Sequence, residues 1–168
     1  MTSRTIVVGL DDSPSGRAAL EWAAKHAKLT GSVLRAVHVL DWPYGLEDAD
    51  VASTSSTGSL LTHDQIEALY RGRITRVFDE VDPRPDWLMQ FARGAVGPVL
   101  AHQAEHAELL VVGTREHAGL GRLLAGSVSH YCLSHAACPV VAVPAPSPWA
   151  AQPSQEVPAS CSGRSWSR

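Results

Sequence analysis

Short runs of apolar residues alternate along this chain with longer segments in which apolar residues recur every three or four positions. The runs occupy residues 5–10, 33–39, 87–91, 109–112 and 140–143. A run that is apolar at almost every position is typical of a strand buried on both faces of a sheet. The segments between the runs have helical spacing, so they predict crossover helices and therefore a parallel sheet. The pattern favours an α/β fold with five strands and four helices.

The helix boundaries carry recognisable capping residues. Ser13 supplies an N-cap for the first helix, and Gly31 ends it. Thr62 begins a capping box for the second helix, and two further helices are predicted from Gly97 and over 127–135. The second helix is expected to bury one apolar face, made by Ile66, Tyr70, Ile74, Val77 and Val81.

Composition narrows the class of protein. With 168 residues, 45% of them hydrophobic and 18% charged, the chain has the make-up of one compact domain. A net charge of −3 provides no basic face for nucleic acid, and no apolar run approaches the length of a membrane span. Three cysteines are too few for a disulfide framework, and no signal-peptide core follows Met1, so we expect a cytoplasmic protein. The domain is expected over 1–144, with a disordered Pro/Ser/Ala-rich tail over 145–168.

The segment 113–127 is the most informative part of the chain for function. It leads from the fourth apolar run through a glycine-bearing loop to a helix that opens at Ser127. Unpaired N–H groups at a helix N-terminus attract anions, and ligands of open parallel sheets bind beyond the carboxyl ends of the strands. Asp11 directly follows the first strand, so it would line the same crevice as Gly113 if strands one and four are neighbours. Alternatively, Gly113 and Gly126 are turn residues and Ser127 is only a helix cap.

Several blocks of the chain resemble the universal stress protein family. They are the opening IVVGLDDSPSGRAALEWA, the VHV that ends the second strand, and VVGT…GLGRLLAGSVSHYCLSHAACPVVAV. The resemblance covers residues 4–144. It implies a Rossmann-like α/β fold in which an open five-stranded parallel sheet of order 3-2-1-4-5 has helices on both faces. It also implies a homodimer that forms through the last strand, Val140–Val143.

The same resemblance implies a site for adenine nucleotide, with ATP as the expected ligand. By analogy, Gly113, Gly126 and Ser127 would contact phosphate or ribose, Asp11 would lie near the sugar and base, and the backbone of Val39 would meet the adenine edge. The full candidate set is Asp11, Val39, Gly113, Thr114, Arg115, Glu116, Gly126, Ser127 and Val128.

Glu116 departs from the family pattern, because it occupies the place of the second loop glycine. A carboxylate there adds bulk and repels a polyphosphate. Arg115 and Arg122, or a Mg²⁺ ion that bridges Glu116 to the phosphates, would compensate. Otherwise the site would take AMP, cyclic AMP or no ligand. The expected protein is a nucleotide-gated stress-response module rather than an enzyme, the alternatives being a scaffold whose pocket Glu116 closes and, less favoured, a weak ATPase.

One segment of the chain matches a zinc-peptidase pattern by its residue types. The segment 102–106 reads His-Gln-Ala-Glu-His. On the third helix, however, Leu100 and Ala104 lie on the face that packs inward, which directs His102 and His106 toward solvent. No metal site is therefore predicted there.

Overall fold

The computed structural model describes residues 4–41, 63–114 and 127–145. In those ranges five strands and four helices alternate along the chain. In chain order the elements are β1 (Thr5–Gly9), α1 (Pro14–Thr30), β2 (Val33–Leu40), α2 (His63–Asp79), β3 (Leu88–Arg93), α3 (Val96–Gln103), β4 (Leu109–Thr114), α4 (Ser127–His135) and β5 (Val140–Pro144). The predicted tail from residue 146 onward and most of the long loop at 41–60 lie outside the described residues.

The strands form one parallel sheet with the order β3-β2-β1-β4-β5, which confirms the predicted topology. From β1 the chain moves outward to β2 and β3, and it then returns to place β4 on the other side of β1. The strand order therefore reverses between β1 and β4. The connections from these two strands leave on opposite faces, so a crevice opens at their carboxyl ends.

Two hydrophobic clusters cover the two faces of the sheet. One joins α1 and α2 to residues such as Val8 and Leu34, while the other joins α3 and α4 to Val7 and Val37. Val7, Val8 and Leu34 are fully buried. The two-sided burial explains why the inner strands are apolar at consecutive positions.

The predicted caps of α1 are confirmed. The Ser13 side chain accepts a hydrogen bond from the backbone N–H of Gly16 at 3.0 Å. Gly31 adopts φ +71°, in the left-handed region that glycine enters at little cost, and its N–H bonds to the carbonyl of Ala27.

Two details differ from the sequence prediction. The third strand begins at Leu88 and continues to Arg93, and the buried Trp87 precedes it. On α2, Ile74 and Val77 are buried as predicted, but Tyr70 is half-exposed. The buried residues described for this helix all lie in its second half.

Among the helices of the described ranges, none combines the length and the apolar character that crossing a membrane requires.

Candidate functional site

A cavity of about 360 Å³ opens at the carboxyl ends of β1 and β4, at the point where the strand order reverses. It combines small backbone-exposing residues, aliphatic side chains and one carboxylate. Its described lining consists of Gly9, Leu10, Asp11, Ser15, Gly16, Val37, His38, Val39, Val96, Leu100, Val112, Gly113, Ser127, Val128 and Ser129.

Asp11 is held in place at the mouth of the cavity by the start of α1. Its Oδ1 accepts hydrogen bonds from the backbone N–H of Ser13 at 3.1 Å and from the Ser13 hydroxyl at 2.5 Å. A Cβ atom on Gly16 would lie 2.0 Å from the same oxygen, so only glycine at this position leaves room for the carboxylate. Asp11 is the one charged side chain in the described lining, and it offers acceptor oxygens to a ligand that carries hydroxyl or amino groups.

Val39 turns its backbone toward the cavity. The carbonyl of Val37 accepts a hydrogen bond from Leu10 N–H at 2.9 Å, so it faces β1. Because backbone groups two residues apart point to the same side of a strand, the N–H and C=O of Val39 also face the β1 side. The pairing of β1 with β2 ends at Gly9 and Val37, and Val39 therefore extends past the last paired residues. Its donor and acceptor match the hydrogen-bonding edge of a planar heterocycle.

Gly113 lets β4 approach the first turn of α1 closely. A Cβ atom at this position would lie 2.6 Å from both the carbonyl carbon and the carbonyl oxygen of Ser15. These are backbone atoms that cannot rotate away, so a side chain here would force α1 and β4 apart. Gly113 and Ser15 together form part of the cavity wall.

The first turn of α4 forms the opposite wall. Ser127, Val128 and Ser129 all line the cavity, with Ser127 exposed and Ser129 buried. The dipole of a helix favours an anion at its N-terminus. This end of the cavity suits a phosphate better than a neutral group.

Of the remaining sequence candidates, one does not line the cavity and three lie outside the described residues. Thr114 is buried at the end of β4, paired with Pro144, and lies outside the described lining. Arg115, Glu116 and Gly126 lie outside the described residues. The described structure therefore brings together five of the predicted residues, namely Asp11, Val39, Gly113, Ser127 and Val128.

Asp12, the neighbour of Asp11, has a different role. Its carboxylate accepts hydrogen bonds from Arg17 on α1, one of them at 2.6 Å, and pairs with Arg73 on α2. These guanidinium groups, Arg17 first, lower the pKa of Asp12. The network fixes the turn after β1 against α2. It could not be predicted from local sequence, because Arg73 is 61 residues away from Asp12.

The described structure brings no three His, Cys, Asp or Glu side chains together as metal ligands. His102 is exposed on the last turn of α3, as predicted, whereas His106 is exposed in the turn after the helix, because α3 ends at Gln103 and not beyond His106 as predicted. Sequence reasoning missed Ser15, Gly16 and Ser129 as lining residues. Glycine has a low helix propensity, so its presence in the first turn of α1 could have indicated that Gly16 is needed for a close contact.

The chain matches the model of the universal stress protein family over residues 2–144. A universal stress protein of Mycobacterium tuberculosis is 32% identical over 152 residues, which cover 84% of this chain and 48% of that protein. The chain thus spans about half the length of the curated relatives it matches.

Solved structures of low sequence identity share the fold. A universal stress protein in complex with cAMP superimposes with a TM-score of 0.55 at 23% identity, covering 83% of this chain and 95% of that one. One from Archaeoglobus fulgidus in complex with dAMP has a TM-score of 0.56 at 18% identity, covering 85% of this chain and 99% of that one. Both ligands named for these structures are adenine nucleotides.

Proposed function

The chain belongs to the universal stress protein family, and on that premise we propose that it binds an adenine nucleotide in the cavity between β1 and β4. The observation that carries the proposal is the convergence of Asp11, the Val39 backbone and Gly113 at the switch point of the sheet. Two structural neighbours are described as complexes with cAMP and dAMP, which supports the same ligand class.

The cavity fits the nucleoside part of such a ligand. Aliphatic walls formed by Val39, Leu100 and Val112 suit the faces of a purine ring, and the Val39 backbone would pair with its edge. The carboxylate of Asp11 would accept hydrogen bonds from ribose hydroxyls. In this arrangement the base would lie in the crevice and the phosphates would point toward the first turn of α4.

The number of phosphates depends on the loop that precedes α4. Glu116 would repel ATP unless a Mg²⁺ ion bridges its carboxylate to the phosphates or Arg115 and Arg122 neutralise the charge. ATP with Mg²⁺, AMP and cyclic AMP are therefore the ligands to compare. We propose that phosphate contacts at Gly113, Gly126 and Ser127 signal occupancy to a partner.

The test is to unfold the purified protein, extract any co-purified nucleotide, and then titrate ATP, AMP and cyclic AMP with and without Mg²⁺. Micromolar binding of any of them would support the proposal. Glu116→Gly serves as the matched variant. If it binds ATP while the wild type binds no adenine nucleotide, the pocket is closed in this chain and the protein acts as a scaffold instead.

We also propose a cytoplasmic homodimer that forms through β5. In the described structure β5 pairs only with β4, and Val140, Val141, Ala142 and Val143 are half-buried. The Pro139 carbonyl accepts from Leu110 N–H, so by alternation the backbone of Val141 faces β4 and that of Ala142 faces the free edge.

Ala142→Pro therefore tests the dimer without removing a bond to β4. It deletes a free-edge donor, whereas Ala142→Ser keeps the amide and serves as the control. Sedimentation should find the proline variant monomeric and the serine variant dimeric. A dimeric proline variant would refute pairing through this edge.

A further inference from the structure

His38 lies between the two parts of the cavity that are proposed to hold the ligand. Its ring Nδ1 is 2.8 Å from the carbonyl oxygen of Leu10. A carbonyl oxygen can only accept, so Nδ1 carries the proton and donates this bond. Leu10 is followed directly by Asp11, and His38 is followed directly by Val39.

His38 is one of the lining residues, and its imidazole packs on the α1 and α2 side of the sheet. Neighbouring residues of a strand point to opposite faces, and Val37 and Val39 belong to the cluster on the α3 and α4 side. The His38 ring instead meets the edge of Phe91, with ring centroids 5.9 Å apart and planes inclined by 74°. Phe91 packs on the cluster of the α1 and α2 side.

The bond joins β1 and β2 beyond the end of their backbone pairing. The last paired residues are Gly9 and Val37, and the hydrogen bond from Leu10 N–H to the Val37 carbonyl completes that ladder. Past this point the two strands are joined by the side chain of His38, which donates a hydrogen bond to the Leu10 carbonyl. It therefore sets the separation between the turn that carries Asp11 and the strand end that carries Val39.

We infer that His38 is a positioning residue for the ligand, because its Nδ1–H fixes the distance between the Val39 backbone and the Asp11 carboxylate. The inference rests on the proposed function for its ligand, but the tie between the strands is independent of any ligand. Positioning of this kind raises affinity because the site is already in its binding geometry before the ligand arrives.

Three variants separate positioning from general stability. His38→Phe keeps an aromatic ring against Phe91 and removes the donor. His38→Asn carries an amide nitrogen near the place of Nδ1 and retains a donor. The matched control is His135→Phe, because His135 Nδ1 makes a similar bond of 3.0 Å to the Tyr131 carbonyl at the far end of α4, outside the cavity lining.

Titration with AMP should give about fivefold weaker binding for His38→Phe, the effect of one neutral hydrogen bond. His38→Asn should recover most of the lost affinity, and His135→Phe should bind like the wild type. Equal affinity in His38→Phe and wild type, or no recovery in a folded His38→Asn, would overturn the inference.

Amide hydrogen exchange without ligand tests the tie between the strands directly. The amides of Leu10 and Ser13 should exchange faster in His38→Phe than in His135→Phe, and unchanged rates would overturn the inference. If His38→Phe does not fold, His38→Gln replaces it, since its amide lies nearer the position of Nε2. A wild type that binds no adenine nucleotide would refute the proposed function alone, because the exchange rates would still decide the role of His38.

Discussion

Replacing Gly113 with alanine would place a methyl group where the first turn of α1 already lies. The new Cβ would be 2.6 Å from the carbonyl carbon and oxygen of Ser15 and 3.0 Å from the nitrogen of Gly16. All three are backbone atoms, so the clash cannot be relieved by a rotamer change. Either β4 or the start of α1 must move.

The magnitude follows from two opposing effects. Overpacking in a close-packed region costs about 1–3 kcal/mol. Removing a glycine restricts the unfolded chain and offsets about 0.4–1 kcal/mol of that cost. From the midpoints of these ranges, we expect Gly113→Ala to lower the free energy of unfolding by about 1 kcal/mol. It should also weaken AMP binding, because Ser15 and Gly113 share the cavity wall.

Urea denaturation of Gly113→Ala and Gly72→Ala provides the comparison. Gly72 lies on α2, and a Cβ atom there would have no neighbour within 4 Å. Helix propensity predicts that Gly72→Ala stabilises the protein by up to about 1 kcal/mol. If Gly113→Ala were as stable as the wild type, the close approach of α1 to β4 would not exist and the description of this wall would be wrong.

Three further predictions concern acid stability, cysteine reactivity and core packing. Arg17 lowers the pKa of Asp12 below its ordinary 3.8, so the stabilisation is present above that value and is lost as the pH falls through the folded pKa. Asp12→Asn should therefore reduce the loss of folding stability below about pH 4. If its stability depended on pH as in the wild type, the ion pair between Asp12 and Arg17 would be excluded. Burial raises the pKa of Cys132 to about 11, so iodoacetamide should modify it at pH 8 only after unfolding. Leu20→Ala should cost about 2–5 kcal/mol in urea denaturation and Leu29→Ala almost nothing, since their exposures are 1% and 86%; equal losses would contradict the assigned core.

The alternation of strands and helices could be predicted from the sequence because local rules determine it. Strands buried on both faces are apolar at successive positions, and the caps Ser13 and Gly31 mark both ends of α1. The order of the strands is not a local property. It came from the resemblance of whole blocks to a family, and the structure confirmed it.

The candidate site was only partly predictable. Asp11 was expected after the first strand and Gly113 after the fourth. Asp11 does follow β1, and Gly113 is the second-last residue of β4, so the strand ends indicated where both would lie. Gly16 leaves room for the Asp11 carboxylate, and His38 bonds to the carbonyl of Leu10, 28 residues away. Neither contact can be predicted from the spacing of residues along the chain. Tyr70 was expected in the core because its helical spacing is right, but spacing does not reveal how much of a helix rests on the sheet.

The most direct test of the proposed site is an NMR titration of the ¹⁵N-labelled protein with AMP. The account predicts that the amide signals of Asp11, Val39, Gly113 and Val128 shift together and saturate with one dissociation constant, while that of the exposed Leu69 on α2 stays in place. Absence of any shift, or shifts confined to residues outside the cavity, would contradict the central claim that adenine nucleotide binds between β1 and β4.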